Sequence, residues 1–177
     1  MIYKRLNGTK VGSGTGISFT GVGITASDNG SDTTFDFSPV IQVATVQITN
    51  TQLKALRATP VTLVAAPGAG KVLEFISAVI KNNGGTNALT ESTANMAVKY
   101  TDGSGAAVSQ AIESTGFVDQ TAATVTAGLP KIDPIVAYAS AANKALVLHN
   151  TGAGEFGGNA ANDVTFSVKV AYRVHSL

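Results

Sequence analysis

The chain has 177 residues, of which 44% are hydrophobic and 13% are charged, with a formal net charge of +1 and no cysteine. The small net charge gives no electrostatic case for a nucleic acid or an anionic membrane as a partner, and the lack of cysteine excludes disulfides and thiolate metal sites. No segment has the roughly 20 apolar residues that cross a bilayer, nor the apolar run of a signal peptide. We therefore expect a protein made in a cytoplasm.

The first 42 residues are rich in glycine and carry short stretches of alternating apolar and polar residues. Phe19, Phe35 and Phe37 lie in such stretches, which is the period of a strand. The Asn-Gly pair at 29–30 is a strong signal for a hairpin turn. Because a two-stranded hairpin is marginal in water, these phenylalanines need cover from the rest of the chain or from a neighbour. We predict a glycine-rich arm, residues 1–42, that contains a β-hairpin.

From residue 43 onward, short alternating stretches are separated by Gly, Asn, Asp and Pro. The clearest stretch is the last, where every second residue from Val164 to Val174 is apolar or aromatic. Eight strands at this spacing predict an all-β fold, a jelly-roll-like β-sandwich body of residues 43–177. The predicted strands are Val43–Thr49, Thr59–Ala65, Lys71–Lys81, Ala94–Tyr100, Ala106–Ile112, Thr124–Leu129, Lys144–Asn150 and Asp163–His175.

Helix is expected in few places. The best candidate is TNTQLKALRATP, in which Thr51 can cap the first turn, Leu53 and Leu56 share one face, and Pro60 follows the end. A further helical turn is predicted within Ser114–Ala123.

The stretch VAAPGAGKVLEF, residues 64–75, has the outward look of a phosphate-binding loop. That loop requires G-x-x-x-x-G-K-[ST] followed by a helix. Here the first glycine position is Ala65, the residue after Lys71 is Val72, and the following residues favour a strand. We therefore predict a turn between two strands, with Gly68 or Gly70 supplying a positive φ, and no nucleotide cofactor.

No constellation of catalytic residues is evident. His149 lies at a strand end without a G-x-S-x-G nucleophile elbow in the chain, so a structural or surface role is expected. With only two histidines and no spaced run of carboxylates, we expect no metal site. We therefore expect no enzymatic activity, no catalytic residues and no cofactor.

Several stretches resemble structural proteins of tailed bacteriophages. They are ITNTQLKALRATPVTLVAAPGAGKVLEFISAVIK, MAVKYTDGSGAAVS, the C-terminal region from NKALVLHN, and the N-terminal GISFTGVGITASDNGSDTTFDF. The resemblance covers most of the chain. It implies a β-sandwich component of the virion, such as a capsid decoration (cement) protein, a head fibre or a tail appendage, commonly a homotrimer. It supplies no catalytic residues.

The leading hypothesis is a capsid decoration protein on the virion, with the major capsid protein or another virion protein as its partner. In this hypothesis the arm attaches the body by burying its phenylalanines and by strand addition. Lys4, Arg5 and Lys10 would meet an acidic capsid surface, although simple solvation explains each of them equally well. The alternative is a tail fibre or appendage module that binds a host receptor or glycan.

Overall fold

The computed structural model describes residues 40–177 apart from 92–94, 133–134, 159–160 and 162, together with the backbone of four short strands before residue 37. The chain forms two compact units, Met1–Val40 and Ile41–Leu177. The first unit contains two antiparallel pairs. They are β1 (Arg5–Leu6) with β2 (Thr9–Lys10), and β3 (Thr25–Asp28) with β4 (Thr33–Asp36).

The regular elements described in the second unit are mostly strands. Its described elements are β5 (Gln42–Ile48), α1 (Asn50–Lys54), β6 (Val61–Val64), β7 (Lys71–Asn82), β8 (Asn95–Tyr100), β9 (Ile112–Glu113), β10 (Thr124–Gly128), α2 (Tyr138–Ala141), β11 (Leu146–Asn150) and β12 (Phe166–Ser176).

These strands form two antiparallel sheets, ordered β10-β7-β12-β5 and β6-β11-β8-β9. The first strand of the unit pairs with the eighth, the second with the seventh, the third with the sixth and the fourth with the fifth. This nesting of hairpins, divided between two packed sheets, is the jelly roll. The predicted all-β, jelly-roll-like β-sandwich is confirmed.

The core lies between the two sheets, and one irregularity explains how β7 contributes to it. Leu73 and Phe75 are buried, and so are Ala78 and Ile80, so the inward positions shift by one residue in mid-strand. The pairing of β12 with β7 shifts at the same point, leaving Ile76 as an extra residue. Such a bulge lets both halves of a long strand face one core. In β12 the inward alternation is unbroken, and Phe166, Val168 and Val170 are fully buried.

The predicted strand Ala106–Ile112 is wrong in its extent. Regular pairing is confined to Ile112–Glu113, and the preceding segment makes isolated bridges to Lys99 and Pro130. The cause is Ser109, whose Oγ accepts the amide hydrogen of Val98 at 2.8 Å. Because a side chain takes the place of a main-chain acceptor, the ladder is interrupted at this point.

The first predicted helix is present, but its predicted cap is wrong. Thr49, not Thr51, caps α1: its hydroxyl accepts from the amide of Gln52, whose side-chain oxygen accepts from the amide of Thr49 at 2.9 Å. This reciprocal capping box satisfies two amides that the helix leaves unpaired. Leu53 and Leu56 are fully buried, as their spacing suggests.

One helical turn was predicted within Ser114–Ala123, and the structure has a hydrogen-bonded turn there but no regular helix. Residues 115–119 form turns, in which the amides of Phe117 and Val118 both donate to the carbonyl of Ser114. The described helix that follows β10 in the chain is α2, at Tyr138–Ala141.

The stretch VAAPGAGKVLEF forms the turn between β6 and β7, as predicted. Gly68 and Gly70 have φ angles of 101° and 71°, a backbone region that glycine adopts without strain. The amide of Gly68 donates to Oδ1 of Asn143 at 2.9 Å, and Lys71 begins β7 rather than a helix. The loop therefore connects the two sheets.

Candidate interaction surface

The outer face of the β10-β7-β12-β5 sheet carries exposed apolar residues where polar ones are usual. Antiparallel sheets with one solvated face normally alternate apolar-in and polar-out. Here Val43 and Val125 are 64% and 65% exposed, and Val79 is half exposed. Ala127 lies directly opposite Val79 in the pairing of β10 with β7. We call Val43, Val79, Val125 and Ala127 the sheet patch.

Val79, Ala127 and Val125 lie on the neighbouring strands β7 and β10, whereas Val43 lies opposite Ala171 on the far side of β12. Val79 lies opposite Lys169 of β12, and Lys169 lies opposite Thr45 of β5. One row away, Val125 lies opposite Lys81. Threonine and two lysines are therefore the polar neighbours of the valines, and the lysine stems extend the apolar surface.

A second exposed apolar surface follows β10 directly. Leu129 and Tyr138 are about half exposed, Ile132 is 76% exposed and Ile135 is 99% exposed. These four residues, which we call the loop patch, fall within ten positions of the chain. Scattered apolar residues are normal on protein surfaces, whereas a cluster of this kind marks a site of interaction.

The loop patch is held in place at both of its ends. The amide of Lys131 donates to the carbonyl of Val108 at 2.8 Å, and Pro130 forms a bridge with Ser109. Val136 packs against the core between Ile135 and Tyr138, and Ala141 at the end of α2 is buried. The exposed side chains therefore belong to an anchored segment of the fold.

An open depression of about 710 Å³ on the other sheet holds the most chemically varied group of side chains. Arg57, Lys99, His149 and Glu155 line it, with Ser104 and Thr151. His149 lies in β11, on the side of the strand that faces away from the core, yet it is 93% buried because the loop after β8 covers it. A Cβ atom at Gly103 in that loop would lie only 2.7 Å from its Nε2.

The polar groups of this depression hold loops together. Glu155 accepts from the amides of Arg57 and Ala58 at 2.8 and 2.7 Å. The Arg57 guanidinium donates to the carbonyl of Gly152, and Nζ of Lys99 donates to that of Gly103 at 2.6 Å. The described contacts thus account for these charged groups as loop anchors.

The hydroxyls of the depression are directed away from His149. Ser104 Oγ donates to Asp102 at 2.7 Å, and Thr151 Oγ1 donates to the carbonyl of Asn95 at 2.8 Å. A nucleophile would instead need to donate to the imidazole. Neither hydroxyl is arranged for catalysis in this geometry.

The imidazole itself is held in its uncharged form. Burial lowers the pKa of His149, and the positive charges of Lys99 and Arg57 lower it further. A main-chain hydrogen bond with Arg57 and the negative charge of Glu155 oppose these effects only in part. His149 is therefore neutral at pH 7 and serves as packing beneath the loops.

The six residues expected to contact a partner lie in the first unit. Lys4, Phe19 and Phe37 fall outside the described residues. Arg5 and Lys10 occupy directly opposite positions in the β1–β2 pair, and Phe35 lies opposite Ala26 in the β3–β4 pair. The roles predicted for these residues stay predictions.

Sequence reasoning missed both apolar patches. The valines of the sheet patch lie in alternating stretches, but alternation does not say which face of a strand is covered. The loop patch lies in LPKIDPIVAY, where five large apolar or aromatic residues occur in a segment broken by two prolines. An apolar segment that its prolines exclude from a central strand is a sequence signal for an exposed apolar surface.

Comparison with protein-family models, curated proteins and solved structures finds no match to this chain. Among the described residues, no three His, Cys, Asp or Glu side chains are grouped so that they could hold a metal ion. No helix in the described part is long and apolar enough to cross a membrane.

Proposed function

We propose that this protein is a structural component of a bacteriophage virion, a capsid decoration protein whose oligomeric body and N-terminal arm bind and stabilise the head. The observation that carries the proposal is the exposure of two apolar patches on a jelly roll. Jelly rolls occur in viral capsid proteins and in lectins, and exposed apolar clusters mark contacts with other macromolecules. The fold alone does not assign a function, so the proposal depends on the exposed patches.

The charge content supports the same proposal. Only 13% of the residues are charged, against roughly 25% in an average globular domain. A surface of threonine, serine, glycine and alanine costs little to remove from water. Such a surface suits a protein packed closely among other virion subunits, and the resemblance of several stretches to phage structural proteins agrees with this.

The proposed attachment uses the first unit. β3 and β4 form an antiparallel pair within this unit, and paired strands of this length need further cover. In the proposal the arm supplies Phe19, Phe35 and Phe37 for burial against the major capsid protein or another virion protein. Lys4, Arg5 and Lys10 lie in the same segment and meet acidic groups there.

Deletion of residues 1–42 tests the attachment. Binding of the full chain and of the truncated chain to purified phage heads is compared by co-sedimentation. The proposal predicts that the truncated chain loses most of its binding while it keeps its folded β spectrum. Binding at full strength without the arm would contradict the proposed attachment.

A tail fibre or appendage module that binds a host receptor or glycan is the second candidate. Tyr138 favours it, because this aromatic ring is half exposed and glycan sites often present aromatic faces to sugars. A glycan array probed with residues 43–177 discriminates between the two. Specific binding to one glycan class, abolished by Tyr138→Ala, would favour the tail module over the decoration protein.

A further inference from the structure

His149 is a buried titratable side chain that the proposed function does not use. It lies on the outward side of β11, between Leu148 and Asn150, which are fully buried in the core. Outward positions of an antiparallel sheet are usually solvated, yet His149 is only 7% exposed. Its burial therefore depends on the loops that pass over this sheet.

Segments from three parts of the chain surround the imidazole. Gly103, in the loop after β8, comes so close that a Cβ atom there would lie 2.7 Å from Nε2 of His149. Arg57, which follows α1, and Glu155, in the loop after β11, line the same depression. Because loops open at a lower cost in free energy than core strands, this enclosure can loosen while the sandwich stays packed.

The surroundings of the imidazole suit its uncharged form. Nδ1 of His149 is buried and has no hydrogen-bond partner among the described residues. A protonated imidazole carries an N–H group on both nitrogens. A buried donor without a partner is costly, and more so when it is charged. Protonation would therefore place an unpaired charged donor beneath the loops.

Two positive groups that line the depression with His149 add to this cost. They are Lys99 in β8 and Arg57, and neither forms a salt bridge within the described part of the chain. A proton on His149 would place a third positive charge among them. Repulsion between like charges is stronger where water is partly excluded, as it is around a side chain this deeply buried.

The carboxylates of the same region are already engaged with main-chain amides. Glu155 accepts from the amides of Arg57 and Ala58 at 2.8 and 2.7 Å. Asp102, in the loop after β8, accepts from amides of its own turn at 2.8 and 3.2 Å. Either carboxylate could pair with a charged His149 only by giving up contacts that order a loop.

We propose that protonation of His149 opens the loops that cover it, while the two sheets stay folded. The charged imidazole regains water only when the loop after β8 moves off the sheet and the close approach of Gly103 is lost. The result is an acid-operated change in the outer surface of the β6-β11-β8-β9 sheet. This switch does not depend on the proposed virion role.

The direction of the switch follows from the pKa of His149 in the two states. Burial lowers this pKa when the loops are closed, and the charges of Lys99 and Arg57 lower it further. In the open state the imidazole has its ordinary pKa, about 6.5. The closed state is therefore fully stabilised above about pH 6.5, and this stabilisation is lost as pH falls toward the closed-state pKa. Over that interval the open population rises about tenfold per pH unit.

Amide hydrogen exchange of the full chain tests the proposal, followed by NMR from about pH 7.5 to about pH 5 and corrected for the intrinsic exchange rate. Carboxylates with ordinary pKa values near 4 stay ionised over this range. The reporting amides are those of Arg57 and Ala58, bonded to Glu155, and that of Thr101, bonded to the carbonyl of Ala145. Amides of β12, in the other sheet, are the internal reference.

Two variants assign any dependence on pH to a residue, since the chain has two histidines. His149→Gln keeps a polar side chain that does not titrate. His175→Gln is the matched control, because His175 lies in β12 of the other sheet and its side chain is 42% exposed.

We expect exchange at the reporting amides to accelerate about five- to thirtyfold between pH 7.5 and pH 5 in wild type and in His175→Gln. The acceleration should begin near pH 6.5, level off only where the imidazole of His149 itself titrates by NMR, and be absent in His149→Gln. The amides of β12 should stay protected throughout.

Exchange that is independent of pH in wild type, an acceleration that persists in His149→Gln, or an imidazole midpoint of His149 at or above pH 6.5 would each overturn the proposal. Two of these outcomes are measured on wild type, so they decide the question even where His149→Gln is destabilised. Binding to phage heads plays no part in the experiment, so its result is separate from that of the proposed function.

Discussion

The hydroxyl of Tyr100 donates a hydrogen bond to the main-chain carbonyl of Leu73 at 2.5 Å. Tyr100 ends β8 in one sheet and Leu73 lies in β7 of the other, so this bond ties the two sheets together through the core. β10 pairs with β7 only from Ala78 to Asn82, and the start of β7 instead forms an isolated bridge between Val72 and Ala142. The tyrosine hydroxyl pairs with the next carbonyl along, that of Leu73.

Replacing Tyr100 with phenylalanine should lower the free energy of unfolding by about 0.5–1.5 kcal/mol, the usual net contribution of one hydrogen bond. The ring stays in place, so packing is retained. Chemical denaturation at pH 7 measures the change. An unaltered midpoint would mean that the bond joining the sheets contributes nothing to stability.

The hydrogen bond from Tyr100 to Leu73 should also make the free energy of unfolding depend on pH. Burial raises the pKa of Tyr100, and the negative charge of Glu74 raises it further. Above about pH 10, the ordinary pKa of tyrosine, the unfolded chain loses this proton while the folded chain keeps it. The stabilisation is thus complete below pH 10 and is lost as pH rises through the folded pKa. Wild type should therefore lose stability more steeply than Tyr100→Phe between pH 9 and 11, and parallel curves would contradict this.

Asn82 links the end of β7 to the loop that follows β9. The side chain of Asn82 is fully buried. Its Nδ2 donates to the carbonyls of Phe117 and Gln120 at 2.7 and 3.2 Å. Its Oδ1 accepts from the amide of Gly84 at 2.8 Å. Asn82→Leu leaves these three groups unpaired and should cost about 2–4 kcal/mol. Asn83→Ala removes part-buried bonds to the hydroxyls of Thr165 and Ser167; it is the neighbouring control and should cost less, because Asn82 is fully buried. Equal costs, measured by denaturation, would refute the special role of Asn82.

Asp163 orders the loop after β7. Its carboxylate accepts from the amides of Thr86 and Asn87 at 2.8 and 3.0 Å, and these main-chain bonds lower its pKa. The stabilisation is present above the unfolded pKa, near 4, and is lost as pH falls through the folded value. Amides at 86 and 87 should exchange hydrogen faster in Asp163→Asn than in wild type at pH 7, with the difference shrinking below pH 3. Asp119→Asn is the control and should leave these amides unchanged.

The turn after β8 requires a glycine. A Cβ atom at Gly105 would lie 1.6 Å from the carbonyl oxygen of Tyr100, whereas one at Gly154 meets nothing within 4 Å. Gly105→Ala must therefore shift the turn, and we expect a cost of about 3 kcal/mol or more. Gly154→Ala should change stability by less than about 1 kcal/mol. Similar unfolding midpoints for the two variants would show that the turn adapts freely.

The strands were predictable because burial follows alternation. In β12 every second residue faces the core, and the sequence shows this directly. In β7 the bulge at Ile76 hides the period, since an extra residue places apolar side chains next to one another. The extent of the strand before β9 was not predictable, because the interruption depends on the hydroxyl of Ser109 reaching an amide of another strand.

The cap of α1 was predictable from the sequence by a local rule. Thr49 and Thr51 both suit a cap, yet only Thr49 has a glutamine three residues later, at Gln52, to complete the capping box. The exposure of the apolar patches, in contrast, was not predictable from the sequence. Ile135 and Ile80 are the same residue type in the sequence, and only the tertiary structure shows that one is almost fully exposed and the other fully buried.

The measurement that tests the proposed function most directly is imaging of phage particles assembled with and without this protein. The account predicts added density on the outer surface of the head, into which the two-sheet jelly roll of residues 41–177 fits, and heads that burst at lower temperature when the protein is omitted. Density at the tail instead, or particles with unchanged heads in both preparations, would contradict it.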